Sequence, residues 1–263
     1  MKHLKACVFL VFMASFITNA QNENKALWNT KQCAVSLTYD DGLNVHLDNV
    51  LTILDSLGLK ATFYVPGNSA SLNNRLNDWK ALANKGHELG NHTLFHPCDG
   101  KPEGREWVNP DYDLDTYSID KIVSEIKLAN TLLHTIDGKT KRTFAYTCGD
   151  TAIRDSSFIE LIKTDFVGAR GVEAGFETSN LDLFDVKAFS VNGDTADHLI
   201  SIVEQAKTSS SLAVFLFHGV GGEHNLNVDL DEHNKFVQYL KENEASIWVS
   251  PLVDVLEYIK KER

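Results

Sequence analysis

Two apolar patterns alternate along the chain. Short, strand-like runs fall at 34–38, 61–65, 88–91, 143–146, 166–169, 187–191, 213–217 and 246–249. Longer segments between them repeat apolar residues every three or four positions, as a helix buried along one face requires. Residues 46–57 place them at 47, 50, 51 and 54, and residues 118–136 at 119, 122, 126, 129 and 133. The segments 72–85, 155–163, 195–208, 230–243 and 251–261 complete the predicted helices. Strand followed by helix, repeated seven or eight times, predicts parallel strands with helical crossovers. The predicted fold class is α/β: a distorted or incomplete (β/α) barrel of about seven parallel strands. A doubly wound open sheet is the alternative. No internal repeat or low-complexity linker divides the chain, so residues 21–263 are expected to form one domain.

The first twenty residues break the alternation. Lys2, His3 and Lys5 precede an apolar run at 6–17, and the small residues Thr18 and Ala20 flank Asn19. That order predicts a secretory signal peptide over 1–20. The apolar run is too short for a comfortable membrane span. The expectation is a secreted or periplasmic protein with no stable membrane association after cleavage. Loss of Lys2 and Lys5 takes the formal charge from −11 to about −13. Such acidity argues against nucleic acid or an anionic membrane as partner and suits neutral or cationic substrates.

In a parallel barrel the active site lies where the strands end, so the polar residues at those ends matter most. Asp40 and Asp41 end the first strand, and His92 and His96 follow the third. Cys148 ends the fourth, Arg170 follows the fifth, Asp194 the sixth and His218 the seventh. Asp40-Asp41-Gly42 alone reads equally as a turn. The two histidines of "NHTLFH" have i, i+4 spacing, which on a helical turn lets both face one cation. With a carboxylate from Asp40-Asp41 they would form a two-His-one-carboxylate site with an open position. A dication there also makes two adjacent acids tolerable, because one is neutralised and the other stays free as a base. The long loop at 97–113 holds three of the five prolines, and its Trp107 and Tyr112 suit stacking on sugar rings or plain packing onto the barrel.

"SLTYDDG", "GHELGNHTLFH" and "AVFLFHG" together resemble the three strongest motifs of the polysaccharide deacetylase (NodB homology) family, carbohydrate esterase family four. The resemblance covers roughly residues 33–259. It implies a distorted barrel that removes acetyl groups from an acetylated glycan with a divalent metal ion, zinc first, with cobalt, nickel or manganese as alternatives. By position, Asp40 resembles the catalytic base and Asp41, His92 and His96 resemble the metal ligands. His218 resembles the catalytic acid, and the backbone N–H of Cys148 resembles the oxyanion donor. His87 reads as a structural turn histidine.

The chain departs from the family in two places. Where the family has R-P-P-Y/F-G, with an Arg that steadies the base, this chain has "FAYTCGD" from Phe144, and Ala145 falls at the Arg position. Arg142 is expected to point away, and Arg170 is the expected substitute. The family's Asp behind the acid histidine is also missing, leaving Asp194 either to fill that role or to cap a helix. Cys98 and Cys148 both neighbour the expected site, so a disulfide between them would pin the long loop over it, with Cys33 left buried and free. Two other readings stay open: a barrel that binds carbohydrate without catalysis, and a metal hydrolase of non-sugar amides. Sugar identity and oligomeric state are left open.

Overall fold

The computed structural model describes residues 28–263; the predicted leader lies outside them. Eight parallel strands form the main sheet: β1 (Cys33–Tyr39), β2 (Thr62–Val65), β3 (Glu88–Asn91), β4 (Phe144–Ala145), β5 (Ala169–Arg170), β6 (Phe189–Ser190), β7 (Leu212–Phe217) and β8 (Ile247–Val249). Seven of them run in the order β5-β4-β3-β2-β1-β7-β6, and β8 pairs with the first half of β1. The sheet curls but does not close. Between β5 and β6 the backbone of the connecting segment takes over, with Gly171 N–H donating to Val186 O at 2.9 Å. This is the incomplete barrel that the sequence pattern predicts.

All seven residues of β1 are buried, as expected for a parallel strand covered on both faces. Cys33, Val35, Leu37 and Tyr39 belong to a core shared with α1 (Leu51–Leu57), α3 (Leu76–Asn84), α6 (Ala196–Ser209) and α7 (Leu230–Glu242). Ala34 belongs to a second core with Leu212, Val214 and Leu216, filled by Leu252, Val255, Leu256 and Ile259 of α8 (Leu252–Glu262). Period-2 alternation puts Asp40 on the same face as Ala34, Ser36 and Thr38. The buried hydroxyls on that face are satisfied by Ser250 O and Phe215 O.

Several helices begin where a side-chain oxygen meets orphan N–H groups. Ser118 caps α4 (Ile119–Asp137), Thr195 caps α6 and Asp229 caps α7, each stabilising its helix by about 1 kcal/mol. α4 ends at Gly138 with φ +70°.

Two expectations fail locally. The helix expected at 155–163 shrinks to α5 (Ile159–Ile162), because residues 152–157 fold into a small antiparallel hairpin, Ala152–Ile153 against Ser156–Ser157. The helix expected at 72–85 is broken: α2 (Ala70–Asn74) and α3 meet at Arg75, whose φ of −131° is not helical.

Candidate active site

The turn after β1 delivers both carboxylates. Asp40 N–H still donates to Phe217 O of β7 at 2.9 Å, while Asp41 and Gly42 take positive φ values of 77° and 58°. The pair is therefore both the turn and part of the candidate site. Asp41 Oδ1 lies 3.7 Å from His92 Nε2 and 3.3 Å from His96 Nε2. One ligand atom from each of these three residues falls within 4.8 Å of the other two.

"NHTLFH" is a hydrogen-bonded loop, not the helical turn its spacing suggests. Asn91 Oδ1 accepts from Thr93 N–H, Thr93 Oγ1 accepts from His96 N–H, and Glu125 accepts from Phe95 N–H. Thr93 and His96 sit at φ +63° and +53°. That compact loop sets the two imidazoles 4.7 Å apart. His92 Nδ1 donates to Ala145 O at 2.9 Å, which leaves the lone pair on Nε2 facing Asp41. Burial holds the His92 ring neutral, pushed down to about 4. A neutral, oriented imidazole beside a carboxylate is the donor set a borderline divalent cation takes, so Asp41, His92 and His96 fit the implied metal.

Asp40 is 4% exposed and Arg170 is 0% exposed. Arg170 Nη2 donates to Asp40 Oδ2 and Nη1 to Gly171 O at 2.9 Å. The guanidinium also lies over the Tyr64 ring at 5.0 Å, a desolvated cation–π contact. That ring needs Gly90 beside it, since a Cβ there would fall 2.4 Å from Tyr64 Cδ1. Burial raises the Asp40 carboxyl, but Arg170 with His92 and His218 more than offsets this, so it lies below its ordinary value. Arg170 thus reaches Asp40 across the sheet end from β5, the strand paired with β4, where Ala145 stands at the family's Arg position. Arg142 points away, buried on Leu89 O and Asp137.

His218 Nε2 lies 3.9 Å from Asp41 Oδ2. Its backbone carbonyl accepts from Nε2 of buried His46, whose Nδ1 in turn accepts from Leu43 N–H. Burial lowers the His218 ring, with Asp40 and Asp41 opposing the shift. Asp194 does not back it. Its carboxylate accepts from Asn192 N–H at 2.8 Å, and the cap of α6 is Thr195, so neither expected role of Asp194 is realised. His87 is structural, bonded to Ala61 N–H and Asp55.

Cys98 and Cys148 form a disulfide, and Cys33 is buried and free. Arg105 reinforces the strap, with Nη1 on both oxygens of Asp150 and Nη2 on Cys148 O. Cys148 itself sits at φ +56°. The loop at 97–113 is thereby tied to the rim of β4. Tyr112 stacks on Phe95 at 5.4 Å, one residue from His96. Trp107 is 65% exposed and joins no aromatic pair among the described residues. Two residues escape the strand-end logic, His46 and His224. His224 Nε2 lies 3.7 Å from Asp41 Oδ2; its only sequence signal is a second histidine in the glycine-rich run after β7.

Residues 28–163 match the family model for polysaccharide deacetylase. Over 114 residues the chain is 31% identical to the peptidoglycan-N-acetylmuramic acid deacetylase PdaA of Bacillus subtilis, covering 43% of this chain and 37% of that protein. The chain spans well under half the length of the curated relatives it matches. Peptidoglycan deacetylase PdaC from Bacillus subtilis superposes with a TM-score of 0.52 at 19% identity, over 88% of this chain and 93% of that one. BA3943 from Bacillus anthracis, a CE4 family pseudoenzyme, gives 0.54 at 19% identity, over 86% of this chain and 66% of that one. At such identities the superpositions establish the fold alone. The matched family segment is more than half of the sequence and includes Asp40, Asp41, His92 and His96; the chain belongs to the polysaccharide deacetylase family.

Proposed function

We propose that the protein is an exported, metal-dependent hydrolase that removes acetyl groups, from an N-acetyl amide or an O-acetyl ester, on an acetylated glycan. One observation carries this reading: Asp41 faces His92 and His96 while the adjacent Asp40 is held ionised by buried Arg170. Asp41, His92 and His96 would hold the divalent ion, zinc by preference, with cobalt, nickel or manganese also suited to the set. When bound, such an ion polarises the acetyl carbonyl and makes water more acidic.

The chain's own groups do the rest. Arg170 occupies Asp40 Oδ2, and Oδ1 is buried with no partner among the described residues. Oδ1 is therefore the atom that takes the proton from attacking water as the new C–O bond forms. The Cys148 N–H donates to the carbonyl oxygen as charge gathers there. His218 gives a proton to the nitrogen or oxygen that leaves as its bond to the acetyl carbon breaks. Tyr112 and Trp107 offer ring faces to the sugars, with Tyr112 held nearer the centre through Phe95. Removal of the leader would yield one secreted or periplasmic domain over 21–263.

Acetate release from chitooligosaccharides, peptidoglycan and acetylated xylan tests the reading. It should occur on at least one, stop with chelator and return with added metal. No release from any of them under metal add-back overturns it.

A further inference from the structure

His224 is delivered to the site by a loop with no slack. Gly219–Val220 pairs with Asn227–Val228, and the turn between them passes through Gly221, Gly222 and Glu223 at φ +74°, +137° and +68°. A Cβ on Gly219 would lie 2.4 Å from Gly222 O. Asn227 Oδ1 accepts from Gly222 N–H at 2.8 Å. The Glu223 carboxylate accepts from Asn44 Nδ2 at 2.7 Å and from Val45 N–H at 2.8 Å, which ties this loop to the one that follows Asp40 and Asp41. The result is a His224 ring stacked on His218, with centroids 4.7 Å apart and planes 13° apart.

The position of the ring proton follows from one backbone contact. Leu226 N–H lies 3.0 Å from His224 Nδ1, closer than Leu226 O at 3.3 Å. A backbone N–H can only donate, so Nδ1 carries the lone pair and the neutral ring holds its proton on Nε2. Nε2 is the atom that faces Asp41. His92 has the reverse arrangement, with its proton on Nδ1 and its lone pair on Nε2. The two oxygens of Asp41 thus face different histidines, with His92 presenting a lone pair to it and His224 an N–H. Oδ1 faces His92 and His96, and Oδ2 faces His218 and His224.

We propose that His224 donates a hydrogen bond from Nε2 to the substrate atom that departs from the acetyl carbon, so that the leaving group meets a stacked pair of imidazoles. The inference rests on the deacetylase reading above. His224 transfers no proton; His218 supplies it as the C–N or C–O bond breaks. The stack also orients a ring that lacks side-chain support, since His218 Nδ1 is buried without a partner among the described residues.

The test compares wild type, His224→Phe and His224→Gln, zinc-loaded, on the acetylated glycan that the wild type turns over. Phe keeps a flat ring against His218 and loses the N–H; Gln restores an N–H without the ring. His224→Phe should lower kcat by about 100-fold, as loss of one preorganised donor does, with KM within about twofold of wild type. His224→Gln should recover about tenfold of that loss. Long-range proton–nitrogen correlation spectra of the wild type should show the His224 proton on Nε2. A proton on Nδ1, a Phe variant within about threefold of wild-type kcat, or a Gln variant no better than Phe would each overturn the proposal. If the Phe variant unfolds early, the wild-type tautomer decides. A wild type inactive on every acetylated glycan sinks the deacetylase reading itself, whereas an active wild type with an unaffected Phe variant sinks this inference alone.

Discussion

Replacing Arg170 with Met removes the cation that keeps a buried carboxylate ionised. Both partners are almost fully inaccessible, at 0% and 5% side-chain exposure. Breaking such a pair from one side leaves an uncompensated buried charge and costs about 3–5 kcal/mol. For a domain of this size that is a fall in melting temperature of roughly 6–20 °C. The companion substitution Asp40→Asn removes the stranded charge, so the double variant should recover about 2 kcal/mol of the loss. The sign of the pH dependence is fixed as well. In the wild type the Asp40 carboxyl lies below its ordinary value of 3.8. It therefore stabilises the fold above 3.8, and that contribution is lost as pH falls through the folded value. In Arg170→Met burial acts without the guanidinium, the folded value rises above the unfolded one, and the sign reverses. The variant should regain stability relative to wild type as the pH is lowered. Urea unfolding of the four proteins of the cycle, in chelator and across pH, measures all of this. A loss below about 1 kcal/mol for Arg170→Met, with Asp40→Asn additive to it, would show that Arg170 does not hold the Asp40 charge.

Other expectations follow from the same geometry. The disulfide closes a segment with a sequence separation of 50, so replacing both Cys98 and Cys148 with Ser should cost about 4 kcal/mol in the chain-entropy model. Thiol labelling of the denatured, unreduced protein lacking its leader should find Cys33 alone. Zinc at about 100 times its dissociation constant should stabilise the wild type by about 2.7 kcal/mol, and His92→Ala should abolish that shift in thermal unfolding. Burial pushes His46 and His233, a buried residue of α7 in hydrogen-bond contact with the Tyr39 hydroxyl, down to about 4 from 6.5. Their contribution is present above 6.5 and lost as pH falls toward about 4, so acid titration of unfolding should show a slope in that window that His233→Gln flattens. Tyr112→Ala should raise KM for a glycan by about tenfold, a loss of about 1.4 kcal/mol of binding, and leave kcat within about twofold.

The sequence made the barrel legible because most of its strands are short apolar runs followed by an amphipathic helix, although β5 leads to β6 through a segment without one. The candidate site was legible where a side chain that lines it sits directly at a strand end, as Asp40, Arg170 and His218 do. It was less so where local backbone overrides spacing. The His92–His96 pair meets through two left-handed residues, Thr93 and His96, not through a helical i, i+4 face. His224 has no periodicity to announce it, since its approach depends on a run of positive-φ residues and on Glu223 reaching across to Val45. The hairpin at 152–157 was hidden because Arg154 turns the chain at φ +50°, which apolar pattern does not encode. Asp194 failed in both expected roles because its carboxylate closes a local turn onto Asn192 N–H, a competition that Asp residues commonly win.

Diffraction from zinc-soaked crystals, recorded on both sides of the zinc absorption edge, addresses the metal most directly. One strong anomalous peak is expected about 2.0–2.2 Å from a carboxylate oxygen of Asp41 and from Nε2 of His92 and His96. A map with no peak there, or with zinc bound away from all three residues, would contradict the metal site.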